Sequence, residues 1–439
     1  MIERARFALA LLLVALGAAG FAIVFRLSLS HVYRFIYRAD NVVDAIARLS
    51  PGWRFVVPVA GATLAGWLSG WRVSRSQGVS NVMEAVALGR VHLSIRATAR
   101  RVAGSWTAIA TGLSIGREGP LIEFGGTLGA RIGRAFGVST HRARVLVAAG
   151  TAAGFAAAYN TPFAAVLFVL ETLIGIVALD ALIPTMAATV MATTLTRAAV
   201  GGGPIYGEHT FTVVSPIELL SYAALGVVAA GVAMVFRQGL ALGEAIIQRY
   251  HVPQPWRAAV GGAIVGAIVM RMPSVAGNGY EPLNVILNGQ MLAGAMAWLV
   301  VAKIVATSSS VASGVPGGMF TPVLLVGGAV GALLAPTLQQ IGFPVSPDVG
   351  SYALVGMAAT AAATIHAPIT AAVMVFELSG DYPIALPLLL STVVATWLSR
   401  ARGGESVYEA ELRRRGIGWE LTIDGRQIER IVADTSTRP

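Results

Sequence analysis

Cysteine is absent from this 439-residue chain, which excludes disulfides and thiolate metal sites. Charge is scarce as well. Aspartate, glutamate, lysine and arginine make up 12% of the residues and hydrophobic types 55%, whereas soluble domains carry about 25% charged residues. Mean hydropathy is +0.71. These values exclude an ordinary soluble domain and predict a polytopic membrane protein. A span takes roughly 20 apolar residues, so the chain has room for on the order of a dozen full and partial spans with short loops. Neither an HExxH zinc site nor a G-x-x-x-x-G-K-[ST] phosphate loop occurs, and the six histidines are scattered. No metal or cofactor is therefore expected.

The net charge of +10 comes from arginines between apolar runs: Arg96, Arg100 and Arg101, then Arg131, Arg134, Arg142 and Arg144, then Arg413 to Arg415. That pattern fits cytoplasmic membrane faces rather than a nucleic-acid partner. The apolar run from Phe7 to Phe25 reads as a first span and not a cleaved signal peptide, since no soluble domain follows it.

The informative stretch is Gly112-Leu113-Ser114-Ile115-Gly116-Arg117-Glu118-Gly119-Pro120. Proline suits the first turn of a helix, and glycines let backbone amides approach a ligand. A helix opening at Pro120 would aim its free N–H groups and positive dipole end at residues 116–119 and attract an anion there. Glu118 is itself an anion at that place, and an ionisable side chain at membrane depth is a candidate gate or proton carrier.

The second half repeats this pattern. Gly112, Gly116, Pro120, Gly125, Gly126 and Gly129 fall on Gly314, Gly318, Pro322, Gly327, Gly328 and Gly331 at a constant separation of 202 residues. Four residues further out of phase, Ala152-Ala153, Pro162 and Glu171 fall on Ala358-Ala359, Pro368 and Glu377. Internal duplication in a membrane protein points to a transporter-like fold whose site lies where broken helices of both halves meet. Arg117 and Glu118 become Met319 and Phe320, so Glu118 belongs to the chemistry of one half. Residues 304–347 contain no charge, so any anion-attracting groups there are backbone amides. Gly125-x-x-x-Gly129 and its counterpart read as close helix packing. Glu171 and Glu377, being repeated, read as architecture.

Gly112-x-Ser114-x-Gly116 also fits the G-x-S-x-G pattern of a serine nucleophile. Such a serine needs a histidine, and the one histidine in a long apolar stretch is His366. Pro316 takes the place of Ser114 in the repeat while the flanking glycines stay, so the turn is needed without the hydroxyl. An enzyme is not expected.

Gly116-Arg117-Glu118-Gly119-Pro120 matches the G-[KR]-E-G-P signature of the CLC family of chloride channels and proton-coupled chloride exchangers, and Gly318-Met319-Phe320-Thr321-Pro322 matches its G-x-F-x-P signature. The chain resembles that family from about Phe7 to Leu412. The resemblance implies an all-α polytopic fold of full and partial helices in two inverted halves, about 7–200 and 213–403, within a transmembrane domain 1–403. A short polar cytoplasmic tail, 404–439, would follow. It further implies a homodimer in the cell (inner or plasma) membrane with one anion pathway per subunit. Glu118 would be the gate and proton-transfer group. The anion would meet Arg117, Gly78 and the backbone amides around Gly119, Met319 and Phe320.

Tyr408 falls where the family has its pathway tyrosine, although by itself it is as readily an interfacial aromatic. Two departures follow from the same comparison. Gln77 stands where a serine usually meets the central anion, which puts anion preference in question. Thr172, after Glu171, stands where many exchangers carry an inner proton-transfer glutamate, so an inner proton route would need Glu171 or water at Thr172. The stretch after Arg402 is too short for the paired CBS domains of some relatives. Chloride/proton exchange is the expected function. Passive glutamate-gated chloride conduction and exchange of another anion, such as fluoride or nitrate, are the alternatives.

Overall fold

The computed structural model describes residues 2–70, 78–87, 93–175, 178–203, 205–207, 211, 215–343, 345–346, 348–422 and 425–430. The first apolar run does not stop at Phe25. It continues through Arg26 into one 35-residue helix, α1 (Ile2–Ile36). The first half goes on with α2 (Val42–Arg48), α3 (Pro51–Ser69), α4 (Gly78–Ala87), α5 (Ile95–Ala110) and α6 (Glu118–Ala135). It closes with α7 (Thr140–Tyr159), α8 (Pro162–Phe168) with a π-helical turn over Val169–Ile174, and α9 (Leu179–Val200). The second half has α10 (Glu218–Arg249), α11 (Gln254–Arg271), α12 (Tyr280–Leu287) and α13 (Ala293–Ala312). It continues with α14 (Phe320–Gln340), α15 (Val349–Ile365), α16 (Pro368–Ser379) and α17 (Ala385–Ala401). A short helix, α18 (Val407–Arg414), and a hairpin of β1 (Ile417–Thr422) and β2 (Gly425–Arg430) come last.

Five of the described helices are long and apolar enough to cross a membrane; α15, α16 and α17 are apolar but shorter. Helix ends at membrane depth leave amides and carbonyls that lipid cannot satisfy, so they survive only inside protein. This chain pairs them between its halves. Gly116 and Gly318 exchange both backbone hydrogen bonds, 2.6 and 2.8 Å, as an isolated antiparallel bridge. Two residues 202 positions apart that exchange bonds reciprocally lie across a local two-fold axis, so the halves run in opposite senses about it. The two repeated glutamates obey the same axis. Glu171 accepts from the N–H groups of Ile369 and Thr370 and from the Thr370 hydroxyl, at the start of α16. Glu377 accepts from the N–H groups of Phe163 and Ala164, at the start of α8. Each carboxyl thus satisfies orphan amides of the opposite half.

The layer nearest the axis is built by small residues. A Cβ on Gly125 would strike the carbonyl of Gly150, and one on Gly327 the carbonyl of Gly356. Helix α6 therefore packs on α7, and α14 on α15, backbone against backbone, as the G-x-x-x-G spacing predicts. Helices α7 and α15 are buried over most of their length.

The segment expected as a short polar cytoplasmic tail, 404–439, begins with α18 packed against the body. Tyr408 and Leu412 of α18 are buried, and the Ser80 hydroxyl donates to Glu411 Oε2 at 2.8 Å. Arg415 donates to Asn81 Oδ1 and Glu84 Oε2 at 3.0 and 3.1 Å, fastening α18 to α4. The hairpin pairs Ile417 with Arg430 and Thr422 with Gly425, the one departure from helix among the described elements.

Candidate functional site

The turn between α5 and α6 reverses at Gly112 and its counterpart at Gly314, both in the left-handed region with φ of 86° and 78°, which favours glycine. Helix α6 then begins at Glu118, two residues before Pro120, which lies in its first turn. The Glu118 side chain reaches across the two-fold axis. Its Oε1 accepts from the N–H of Phe320 at 2.7 Å and of Thr321 at 3.3 Å, and its Oε2 from the Thr321 hydroxyl at 3.3 Å. It is 1% exposed. The carboxyl thus rests on the free amides and positive dipole end of α14, where an anion is stabilised. Tyr159 steadies the arrangement through a 2.7 Å hydrogen bond to the Thr321 hydroxyl.

The glycines of the bridge make room for this pose. A Cβ on Gly318 would overlap the Glu118 carboxyl and its Cγ, and one on Gly116 would overlap the carboxyl oxygens. Neither glycine has a positive φ, so alanine is sterically awkward there but not strained in the backbone. Gly318→Ala will therefore push Glu118 off the α14 amides while leaving its charge. A hydrogen bond to a charged group is worth about 1.5–3 kcal/mol, so the seated pose should lose about tenfold or more in population. The check is the apparent affinity of the purified protein for chloride by titration calorimetry. It should rise if the carboxyl competes with the anion, and an unchanged affinity would count against the competition.

The other expected site residues gather nearby to different degrees. Gly119 lies against the bridge, where a Cβ would sit 3.1 Å from the Gly318 nitrogen. Met319 is the N-cap of α14, and the Phe320 ring stands edge-on to Phe155 and Tyr159, 6.1 Å from each. Gly78 opens α4 so close to α6 that its Cβ would lie 2.8 Å from the Gly119 carbonyl. Tyr408 stands edge-on to Phe168 at 6.4 Å, and Phe168 stacks on Phe155 at 4.8 Å, so an aromatic chain links α18 to the start of α14. Arg117 donates to the Ala158 carbonyl at 3.3 Å and lines a cavity of about 660 Å³ with Arg26, Tyr280 and Glu281. Gln77 lies outside the described residues. Glu171 holds the end of α16, and the buried Thr172 hydroxyl has no hydrogen-bond partner among the described residues. Ser114, buried, bonds to the Thr307 hydroxyl at 2.9 Å, and among the described residues no histidine pairs with it.

Sequence reasoning missed buried cations, two of them related by the repeat. Arg101, expected at a membrane face with Arg96 and Arg100, is 9% exposed and pairs with buried Glu123 of α6. The hydroxyl of Thr98 and the amide of Asn81 also donate to that carboxyl at 3.3 Å. Lys303 of α13 is fully buried, and its Nζ donates to the carbonyls of Val275 and Gly277 at 2.9 and 2.8 Å. A signal existed: Lys303 lies 202 residues after Arg101, so the duplication carries a cation at matching phase.

A duplicated helical membrane protein whose inverted halves meet at paired helix N-termini, with one carboxyl seated on the amides of the other half, has the architecture of an anion transporter or channel. The family model described as "Voltage gated chloride channel" matches residues 61–400, and the chain belongs to that family. It is 38% identical over 409 residues to a putative chloride channel protein ClcB-like of Ralstonia nicotianae, covering 91% of this chain and 95% of that protein. A voltage-gated ClC-type chloride channel ClcB of Salmonella typhimurium is 32% identical, covering 84% and 89%. Among solved structures, a slow cyanobacterial chloride/proton antiporter superposes with a TM-score of 0.83 at 24% identity, over 93% of this chain and 98% of that one. A CLC-type fluoride/proton antiporter superposes at 0.77 and 22% identity, with the same coverage. These two share the fold.

Proposed function

We propose that this protein exchanges chloride for protons across the cell membrane as a homodimer, with Glu118 as gate and proton carrier. One observation carries the reading: the Glu118 carboxyl occupies the amides of Phe320 and Thr321, the place a small dehydrated anion would take. Side chain and anion compete for that seat. Protonating Glu118 removes the charge that holds it there and frees the amides for the anion. By reciprocity, anion occupancy favours the protonated side chain by the same factor. In this scheme Gly119, Met319 and Phe320 offer backbone amides. Arg117 draws anions into the cavity it lines. Gly78 and Tyr408 border the other end of the path.

Passive conduction gated by Glu118 is the second reading, and Thr172 favours it. A hydroxyl does not carry a proton at neutral pH, and the neighbouring Glu171 is engaged with the α16 amides. Proteoliposomes separate the two. An exchanger given only a chloride gradient drives protons uphill, whereas dissipative chloride flux with no proton movement would refute exchange. Repeating the measurement with fluoride and nitrate identifies the anion.

A further inference from the structure

His366, set aside as a catalytic partner for Ser114, is the one buried histidine among the described residues. It ends α15 in the left-handed region at φ 58°, as its repeat counterpart Asn160 ends α7 at φ 59°. Asn160 binds within its own half, accepting from Arg197 Nε and donating to the Gly203 carbonyl, both at 2.7 Å. His366 binds differently. Its Nε2 lies 3.2 Å from Arg237 Nη1 of α10 and 3.1 Å from Ser399 Oγ of α17, and its Nδ1 lies 3.6 Å from Glu409 Oε2 of α18. Its carbonyl accepts from Arg400 Nη2 at 3.0 Å.

These partners hold the connection between α17 and α18. Arg237 Nη1 also donates to the Glu405 carbonyl at 2.8 Å, and the guanidinium rests on Gly404, where a Cβ would lie 2.6 Å from it. Glu409 accepts from the Ser406 N–H at 2.9 Å in the capping box that starts α18. Tyr408 is the residue before Glu409.

The hydrogen bonds select one protonation state. A guanidinium has no lone pair, so Nε2 must accept from Arg237, which leaves the ring hydrogen on Nδ1 facing Glu409. A second proton on Nε2 would point at Arg237. It could turn only to Ser399, whose own hydrogen goes to the Ala363 carbonyl at 2.9 Å. The charged groups facing the ring are Arg237 of α10, Arg400 of α17 and Glu409 of α18. The side chain of Glu405, in the connection, pairs with Arg413. An imidazolium would thus meet two guanidiniums and one carboxyl already shared with a helix cap. The closed junction favours neutral histidine and weakens as pH falls.

We propose that His366 is a positioning residue for Tyr408: neutral, it locks α18 through Arg237 and Glu409, and protonated it releases that junction, making transport sensitive to pH at the α18 face independently of Glu118. This rests on the reading that Tyr408 borders the anion path. The counterpart Asn160 supplies the conservative test, because asparagine accepts the left-handed conformation without titrating.

The 439-residue chain lacks cysteine, so Leu412→Cys places a single buried thiol on α18. Its reaction rate with a maleimide should rise on the order of tenfold as pH falls from about 8 to 5 after correction for thiolate fraction. His366→Asn should abolish that rise. Glu409→Gln, which keeps the cap but removes the carboxyl that favours the imidazolium, should move the midpoint to lower pH. In proteoliposomes, His366→Asn should remove one limb of the pH–flux profile on the α18 side. In a Tyr408→Ala background the same substitution should change nothing further. A pH-dependent thiol reactivity that survives His366→Asn would overturn the proposal. Thiol behaviour as expected in a protein that moves no anion would sink the function proposed above and leave the junction standing.

Discussion

Glu118→Gln will leave chloride moving and stop protons moving with it. Glutamine keeps the shape of the side chain and an oxygen that accepts from the Phe320 amide, but it has no charge to bind or release a proton. The loss on the amides is calculable. Hydrogen bonds to a charged group contribute about 1.5–3 kcal/mol each and neutral ones about 0.5–1.5. With two backbone amides contacted, at 2.7 and 3.3 Å, the seat should be surrendered to the anion on the order of ten to a hundred times more readily. Chloride flux should therefore become insensitive to pH between about 5 and 8 on the Glu118 side, apart from the smaller limb assigned to His366. Coupled proton uptake should fall to the level of empty liposomes, on the order of a hundredfold below wild type. Parallel chloride and pH electrodes read both quantities in one vesicle preparation. Proton uptake at the wild-type rate in this variant would remove Glu118 from the mechanism.

What the sequence reveals of this architecture follows from what each residue depends on. The matching turns at Gly116 and Gly318 are legible in the 202-residue spacing, because a turn used twice demands the same glycines twice, whereas the bridge between them is a product of packing. The repeat marks Glu171 and Glu377 as architecture but does not show that each holds a helix end of the opposite half. That Glu118 reaches the opposite half is not legible either. Composition places a carboxyl near helix amides, and here it sits next to those of α6, yet its partners are Phe320 and Thr321 of α14. Which helix end it chooses is decided by the distance across the two-fold axis, a property of packing. The arginines misled in a different way. Counting positive charges between apolar runs treats each as solvated, whereas Arg101 has a carboxyl one helix away, at Glu123, and is buried by it. Nor did polarity alone identify α18 as part of the body. Its first helical residues are apolar on one face only, and Ser80, Asn81 and Glu84 on α4 supply the partners that dock the other.

Lys303 carries the largest effect expected on stability. Its Nζ is fully buried and bridges two carbonyls, those of Val275 and Gly277, in a segment that is neither α-helix nor strand. Irregular backbone of this kind survives at membrane depth only if its polar groups are satisfied from within. Gly277 passes the restraint on, since its N–H donates to the Gly112 carbonyl at 3.4 Å, at the start of the turn that ends in Glu118. The facing charge is the carboxyl of Glu281, whose Oε2 is buried without a hydrogen-bond partner among the described residues. Lys303→Met keeps the length and the apolar stem but strands both carbonyls and removes one of the two cations, with Arg117, that face the Glu281 carboxyl. Removing one member of a buried charged network costs about 3–5 kcal/mol. Thermal unfolding of the detergent-solubilised protein should then begin several degrees lower, by about 2–4 °C per kcal/mol in domains of a few hundred residues. A combined Lys303→Met, Glu281→Gln variant should recover part of that loss, because the carboxylate charge is gone while the stranded carbonyls remain. If the single variant melts within a degree of wild type, the lysine does not hold this segment, and support of the Glu118 turn rests on the glycine bridge and the Ser114–Thr307 hydrogen bond.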